Sequence, residues 1–205
     1  MKALLITTAI AAFAALPAIA APKTFDFKDP KGVNNATFKL DAPLETITGT
    51  ANGVSGSLTV DADKPDATSG TITIDAKSLH VENPVMKEHM HGKDWMDTAT
   101  HGEITFKVGA LKDVKKEGNV VEATVEGDFT MKGKTQKISV PAKVTLLPGK
   151  LADRTNGQMK GDLLVIRSTF TVKRADFGIN PAAPTDKVSD EVQISLAIAG
   201  AAPEA

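Results

Sequence analysis

The sequence has no cysteine and no tyrosine, and only one tryptophan and eight phenylalanines among 205 residues. Without cysteine there can be no disulfide, thiolate nucleophile, Cys-ligated zinc or iron–sulfur cluster, and no lipidated N-terminal cysteine. The scarcity of rings argues against a carbohydrate-binding face or a base-stacking platform. An excess of basic charge is also missing: 24 Lys and Arg stand against 25 Asp and Glu. That balance removes the electrostatic footprint of a nucleic-acid binder. No apolar run reaches the roughly 20 residues of a membrane-spanning helix, so no integral membrane segment is expected. The chain also lacks a nucleophile elbow, a His-Glu-x-x-His helix, a phosphate loop and a dinucleotide fingerprint. Nothing in it demands an enzyme.

What is present begins with a leader. Met1-Lys2 is a basic start, an apolar stretch runs to Ala15, and Ala18-Ile19-Ala20 precedes Ala21 as a small-residue exit. This pattern reads as a secretory signal peptide over residues 1–20, giving a periplasmic or secreted protein. Loss of Lys2 with the leader takes the net charge from −1 to −2. Residues 21–200 then form one domain, long enough for a sizeable core. Residues 201–205, together with Gly200, read as a frayed tail.

The mature chain alternates apolar and polar residues with a period of two. Val121, Ala123, Val125, Phe129 and Met131 share one face, as do Ile138, Val140, Ala142, Val144 and Leu146. The same holds for Ile72 and Ile74, for Ile104, Phe106 and Val108, for Leu164, Ile166, Phe170 and Val172, and for Val192, Ile194, Leu196 and Ile198. Strands with one apolar and one wet face belong to antiparallel sheet. Turn signals at Ala51-Asn52-Gly53, Asp63-Lys64-Pro65, Glu117-Gly118-Asn119, Met131-Lys132-Gly133-Lys134 and Leu147-Pro148-Gly149 separate them. About eight strands result, which fits an all-β closed barrel or sandwich.

One stretch breaks the alternation. Asn83-Pro84-Val85-Met86-Lys87-Glu88-His89-Met90-His91-Gly92 carries an N-cap residue, proline at the first helical position and a terminal glycine. A short helix across one end of the barrel is expected. Met86 and Met90 share one of its faces, either as adaptable ligand wall or as gap-filling core. His89 and His91 are two apart and diverge by about 200° on a helix, so a single metal cannot easily take both. No metal and no cofactor is expected. Asp61, Asp63 and Asp66 lack the central glycine and closing glutamate of a calcium loop and read as a polar hairpin loop.

The residues also carry a family resemblance. His89-Met90-His91-Gly92-Lys93-Asp94-Trp95-Met96-Asp97 followed by Ile104-Thr105-Phe106 resembles a segment of the bacterial YceI-like proteins. Gly127-Asp128-Phe129-Thr130-Met131-Lys132-Gly133-Lys134-Thr135 and Arg174-Ala175-Asp176-Phe177-Gly178-Ile179 resemble that family's hairpin and turn, and Asp190-Glu191-Val192 opens a final strand of its kind. The resemblance spans residues 29 to 199. Near the mature start, Asp29-Pro30-Lys31 runs into Gly32 where family members commonly have histidine, and Trp95-Met96 replaces a Phe-Phe pair.

The resemblance implies an eight-stranded antiparallel lipocalin-like barrel with one or two short helices near one end. It also implies an exported protein that holds a polyisoprenoid or similar long-chain amphiphile for transport, storage or sequestration, with a quinone among the candidates and a homodimer left open. A filled barrel, acting through protein contacts as a periplasmic stress or assembly factor, is the alternative. Alternation directs Ile104, Phe106, Val125, Phe129, Val140, Val144, Phe170, Val192, Ile194 and Leu196 to the interior. Met86, Met90, Trp95 and Met96 would form the mouth, and Phe177 completes the expected ligand wall.

Overall fold

A sheet with one apolar face can bury it by curling upon itself, and the chain does this. The computed structural model describes residues 21–204, so the expected leader lies outside the described residues. Ten strand segments appear: β1 (Lys23–Asp26), β2 (Asn35–Asp41), β3 (Thr46–Ala51), β4 (Val54–Val60), β5 (Ser69–Asp75), β6 (Glu103–Glu117), β7 (Val120–Met131), β8 (Lys134–Leu147), β9 (Gly161–Lys173) and β10 (Glu191–Pro203). Two helices interrupt them, α1 (Pro84–His91) and α2 (Leu151–Arg154).

The ten segments make eight staves. β1 and β2 both run antiparallel to β10, through Asp26↔Ala201 and Ile194↔Phe38 respectively. They are two halves of one broken stave. β3 pairs with β2 and β4 with β1, so these two form the next stave, broken at Asn52-Gly53. From β4 the order runs through β5, β6, β7, β8 and β9 to β10, and the pairing of β1 with β10 closes the ring. Every pairing is antiparallel, as single-face alternation requires.

The helices take different ends. Asn83 caps α1 as its sequence predicts, its Oδ1 accepting from Val85 N at 3.0 Å and Met86 N at 3.1 Å. The helix sits where β5 has ended and β3 has no further strand beside it, only the bridge Thr50↔His80. α2 lies at the opposite end, in the connection between β8 and β9, with Leu151 buried. The tail differs from expectation. β10 continues through Gly200 to Pro203, with Ala201↔Leu163, Ala202↔Asp162 and Pro203↔Gly161 in register. The small residues are held there because Gly200 leaves room for Phe27, whose ring would stand 2.8 Å from a Cβ at that position.

Two apolar clusters occupy the interior. One, toward α1, includes Met96, Ile104, Phe129, Met131, Phe177 and Ile179. The other, toward the α2 end, includes Phe25, Phe27, Leu58, Ile72, Leu164 and Ile166. Outside, the wet faces carry hydroxyl pairs such as Thr169–Ser195 at 3.0 Å and ion pairs such as Lys143–Glu122 at 2.9 Å. Exposed pairs of this kind contribute little to stability.

Candidate functional site

Between the clusters the interior is not filled. A cavity of about 480 Å³ runs along the barrel, within the roughly 300–1,000 Å³ range of ligand pockets. Its lining reaches from Glu45, Met86 and Val188 at the α1 end to Ala62, Pro65, Lys116 and Asn119 at the other. In between the wall is almost wholly aliphatic and aromatic. Such a wall can hold apolar groups and offers few fixed partners to a sugar or a nucleotide.

Fourteen of the fifteen expected wall residues line this cavity: Met86, Met90, Trp95, Met96, Ile104, Phe106, Val125, Phe129, Val140, Val144, Phe170, Val192, Ile194 and Leu196. Phe106, Val144, Phe170, Val192, Ile194 and Leu196 point inward yet keep accessible surface, because what they expose borders the cavity. Phe177 is not on the wall. It is 1% exposed and stands edge-on against Phe129, with ring centroids 5.5 Å apart. The turn from Arg174 to Ile179 tucks it behind the wall, where it braces Phe129.

Alternation was equally readable in the first half of the chain, where Ala36, Phe38, Leu40, Ile47 and Leu58 also line the cavity. Leu111 escapes a period-two count because the register of β6 against β7 shifts between Val108 and Ala110. The bulge returns Leu111 to the inner face opposite Val125.

Glycines make the space. A Cβ at Gly127 would stand 2.5 Å from Phe106 Cζ, and one at Gly49 would stand 2.1 Å from Phe38 Cζ. Each ring lies over a backbone position that has no side chain, which keeps it against the wall.

The segment around α1 closes one end. Met86 is 37% exposed and Val85 59%, whereas Met96 is buried. The C-terminal part is tied down: His91 shares hydrogen bonds with Thr98 Oγ1 at 3.1 Å through Nδ1 and with Leu79 O at 3.0 Å through Nε2. His89 lines the cavity, while His91 is committed to these partners, so the two histidines diverge as helical spacing requires. Lys132 joins the neighbouring loops by donating to Asp94 O and Gly178 O at 3.0 and 3.1 Å. Burial lowers its pKa from the usual lysine value, against the pull of Asp97 and Asp94.

Sequence reasoning gave no role to Arg174. It lines the cavity although only 2% exposed. Its Nε donates to Ser189 O at 2.7 Å, Nη1 to Ile179 O and Asn180 O at 2.8 Å each, and Nη2 to Val188 O at 2.9 Å. Its Cζ lies 5.6 Å from the Trp95 ring centroid. Burial lowers the guanidinium pKa, with Asp190 acting the other way. An arginine this enclosed remains charged.

Comparison with known proteins bears on this geometry. The family model described as YceI-like domain matches residues 29–199. A UPF0312 protein of Shewanella oneidensis is 28% identical over 175 residues, covering 84% of each chain. A UPF0312 protein of Pseudomonas savastanoi pv. phaseolicola is 29% identical over 144 residues, 70% of this chain and 69% of that protein. Among solved structures, Burkholderia cenocepacia BcnA is similar with a TM-score of 0.63 at 24% identity, covering 81% of this chain and 95% of that one. A polyisoprenoid binding domain from Saccharophagus degradans, implicated in plant cell wall breakdown, is similar with a TM-score of 0.63 at 13% identity. That match covers 89% of this chain and 100% of the other. At these identities the two structures speak for the fold.

Proposed function

This chain belongs to the YceI-like domain family, and from that premise we propose that it is an exported carrier that holds one long-chain amphiphile inside its barrel. A polyisoprenoid or similar long-chain amphiphile is the ligand class that fits best. The observation that carries this reading is the apolar cavity of about 480 Å³ along the barrel. The Saccharophagus domain, described as polyisoprenoid-binding, supports the choice of ligand. Transport, storage or sequestration all need reversible binding and no catalysis.

The energetics suffice. Burying a methylene contributes about 0.8 kcal/mol, so ten to fifteen buried carbons give roughly 8–12 kcal/mol before the chain's lost freedom is subtracted. Since micromolar affinity needs about 8 kcal/mol net, it is reached at the upper end of this range. Chain length and volume then govern affinity, and selectivity for a head group falls to the few polar residues at the ends.

Export rests on the leader sequence before Ala21. Two measurements test the reading on protein taken from its native host. Organic extraction and mass spectrometry should yield a stoichiometric long-chain lipid, and the mature N-terminus should be Ala21. A folded protein that carries no lipid and takes up none when offered a polyprenol would overturn the carrier, and an intact Met1 would overturn export.

A further inference from the structure

Resting on the carrier reading, we propose that the amphiphile carries an anionic head, a carboxylate or phosphate, held at Arg174 beside Trp95, with its tail running toward the Lys116 end. Arg174 has five N–H donors, and four are spent on the carbonyls of Ile179, Asn180, Val188 and Ser189. The second hydrogen of Nη2 has no acceptor among the described residues. More important is the charge. Carbonyl oxygens satisfy hydrogen bonds but supply no counterion, and Arg174 makes no ion pair among the described residues. The acid that influences it most, Asp190, uses Oδ1 to accept from Ala175 N.

A buried cation without a counterion is costly, and an anion beside it relieves that cost while taking up the remaining donor. The position suits a head group. Arg174, Trp95, Ile179 and Val188 line the α1 end, where the wall turns from strands to loops. The opposite end is a poor rival. Its lysine, Lys116, is exposed and donates to Ala62 O at 2.6 Å, and the buried Asp61 carboxyl shares that end of the lining. Glu45 at the α1 end stands in solvent on the turn between β2 and β3, where water screens its charge.

The test compares hexadecanoic acid, hexadecyl phosphate and hexadecanol on delipidated protein above pH 7. The two anions should bind about tenfold tighter or more than the alcohol of equal length. In Arg174→Gln this preference should collapse toward unity. Because Arg174→Gln removes donors from four carbonyls and can fail to fold, a second measurement uses the unaltered protein. Trp95 is the chain's only tryptophan. Hexadecanoic acid brominated next to the carboxylate should quench it, and the same acid brominated at the far end should not. Equal affinity of acid and alcohol, or stronger quenching by the far-end bromine, overturns the anionic anchor while leaving the carrier intact. Binding by none of the three overturns both.

Discussion

The ring of Phe106 occupies the space that a side chain at Gly127 would fill, with Phe106 Cζ 2.5 Å and Lys107 O 2.5 Å from where the Cβ would stand. The two residues lie on neighbouring strands, Gly127 paired with Val108 and Phe106 with Phe129. A methyl group at 127 must therefore move a strand backbone as well as a ring. Gly127→Ala should destabilise the barrel by about 1–3 kcal/mol, as overpacking does. In chains that still fold, Phe106 is pushed into the cavity, and the longest ligand tolerated should shorten. Denaturant unfolding and a chain-length series of fatty acids check both outcomes.

Phe129 and Phe106 face each other but bear different loads. Phe129 is 5% exposed and stands edge-on to Phe170 at 5.9 Å and Phe177 at 5.5 Å. Phe129→Ala should cost about 3–5 kcal/mol. Phe106 already borders open space, so Phe106→Ala should cost less than about 3 kcal/mol in delipidated protein, with the larger loss appearing in ligand affinity. Equal destabilisation by the two substitutions would contradict this assignment.

Met86 marks the exposed edge of the segment that closes the α1 end. Met86→Lys places a charge where an incoming chain must strip its water. Ligand affinity should fall about tenfold or more, while stability stays within about 0.5 kcal/mol, the usual range for a surface change. Titration of a polyprenol, read by Trp95 emission and by thermal unfolding, separates the two effects.

Acid should unfold the protein through two carboxylates at the α2 end. Burial pushes the Asp29 carboxyl up, but the N–H groups of Asn34, Lys31 and Val33, with Arg154 3.2 Å away, outweigh it and hold it below its ordinary 3.8. The Lys23 ammonium, donating to Asp162, is the main reason that carboxyl is also lowered; the Gly149 N–H adds to the effect against burial. For a lowered carboxylate the stabilisation is complete above the unfolded value and is lost as pH falls through the folded one. Stability should thus be flat near neutrality and decline below about pH 4. Asp29→Asn and Asp162→Asn should each flatten that decline, measured as unfolding midpoint against pH.

The sequence by itself determined the strands from β5 onward, their inward faces and the helix that breaks them. Each rests on local physics: a two-residue period places alternate side chains on one face, and Asn83-Pro84 starts a helix through its own cap and fixed φ. Fourteen wall residues followed from those two rules and from the resemblance. Tertiary structure alone decided the rest. The β1–β10 pairing that closes the ring joins residues 175 positions apart, Asp26 and Ala201, and nothing local in the Gly200-Ala201-Ala202 tail announces it. Phe177 left the wall because the Arg174–Ile179 turn folds it behind Phe129. Arg174 became a buried cation on the cavity only when the carbonyls of Ile179, Asn180, Val188 and Ser189 converged on it. Periodicity reports which way a side chain points from its own strand, whereas counterions, ring closure and empty volume depend on distant segments meeting in space.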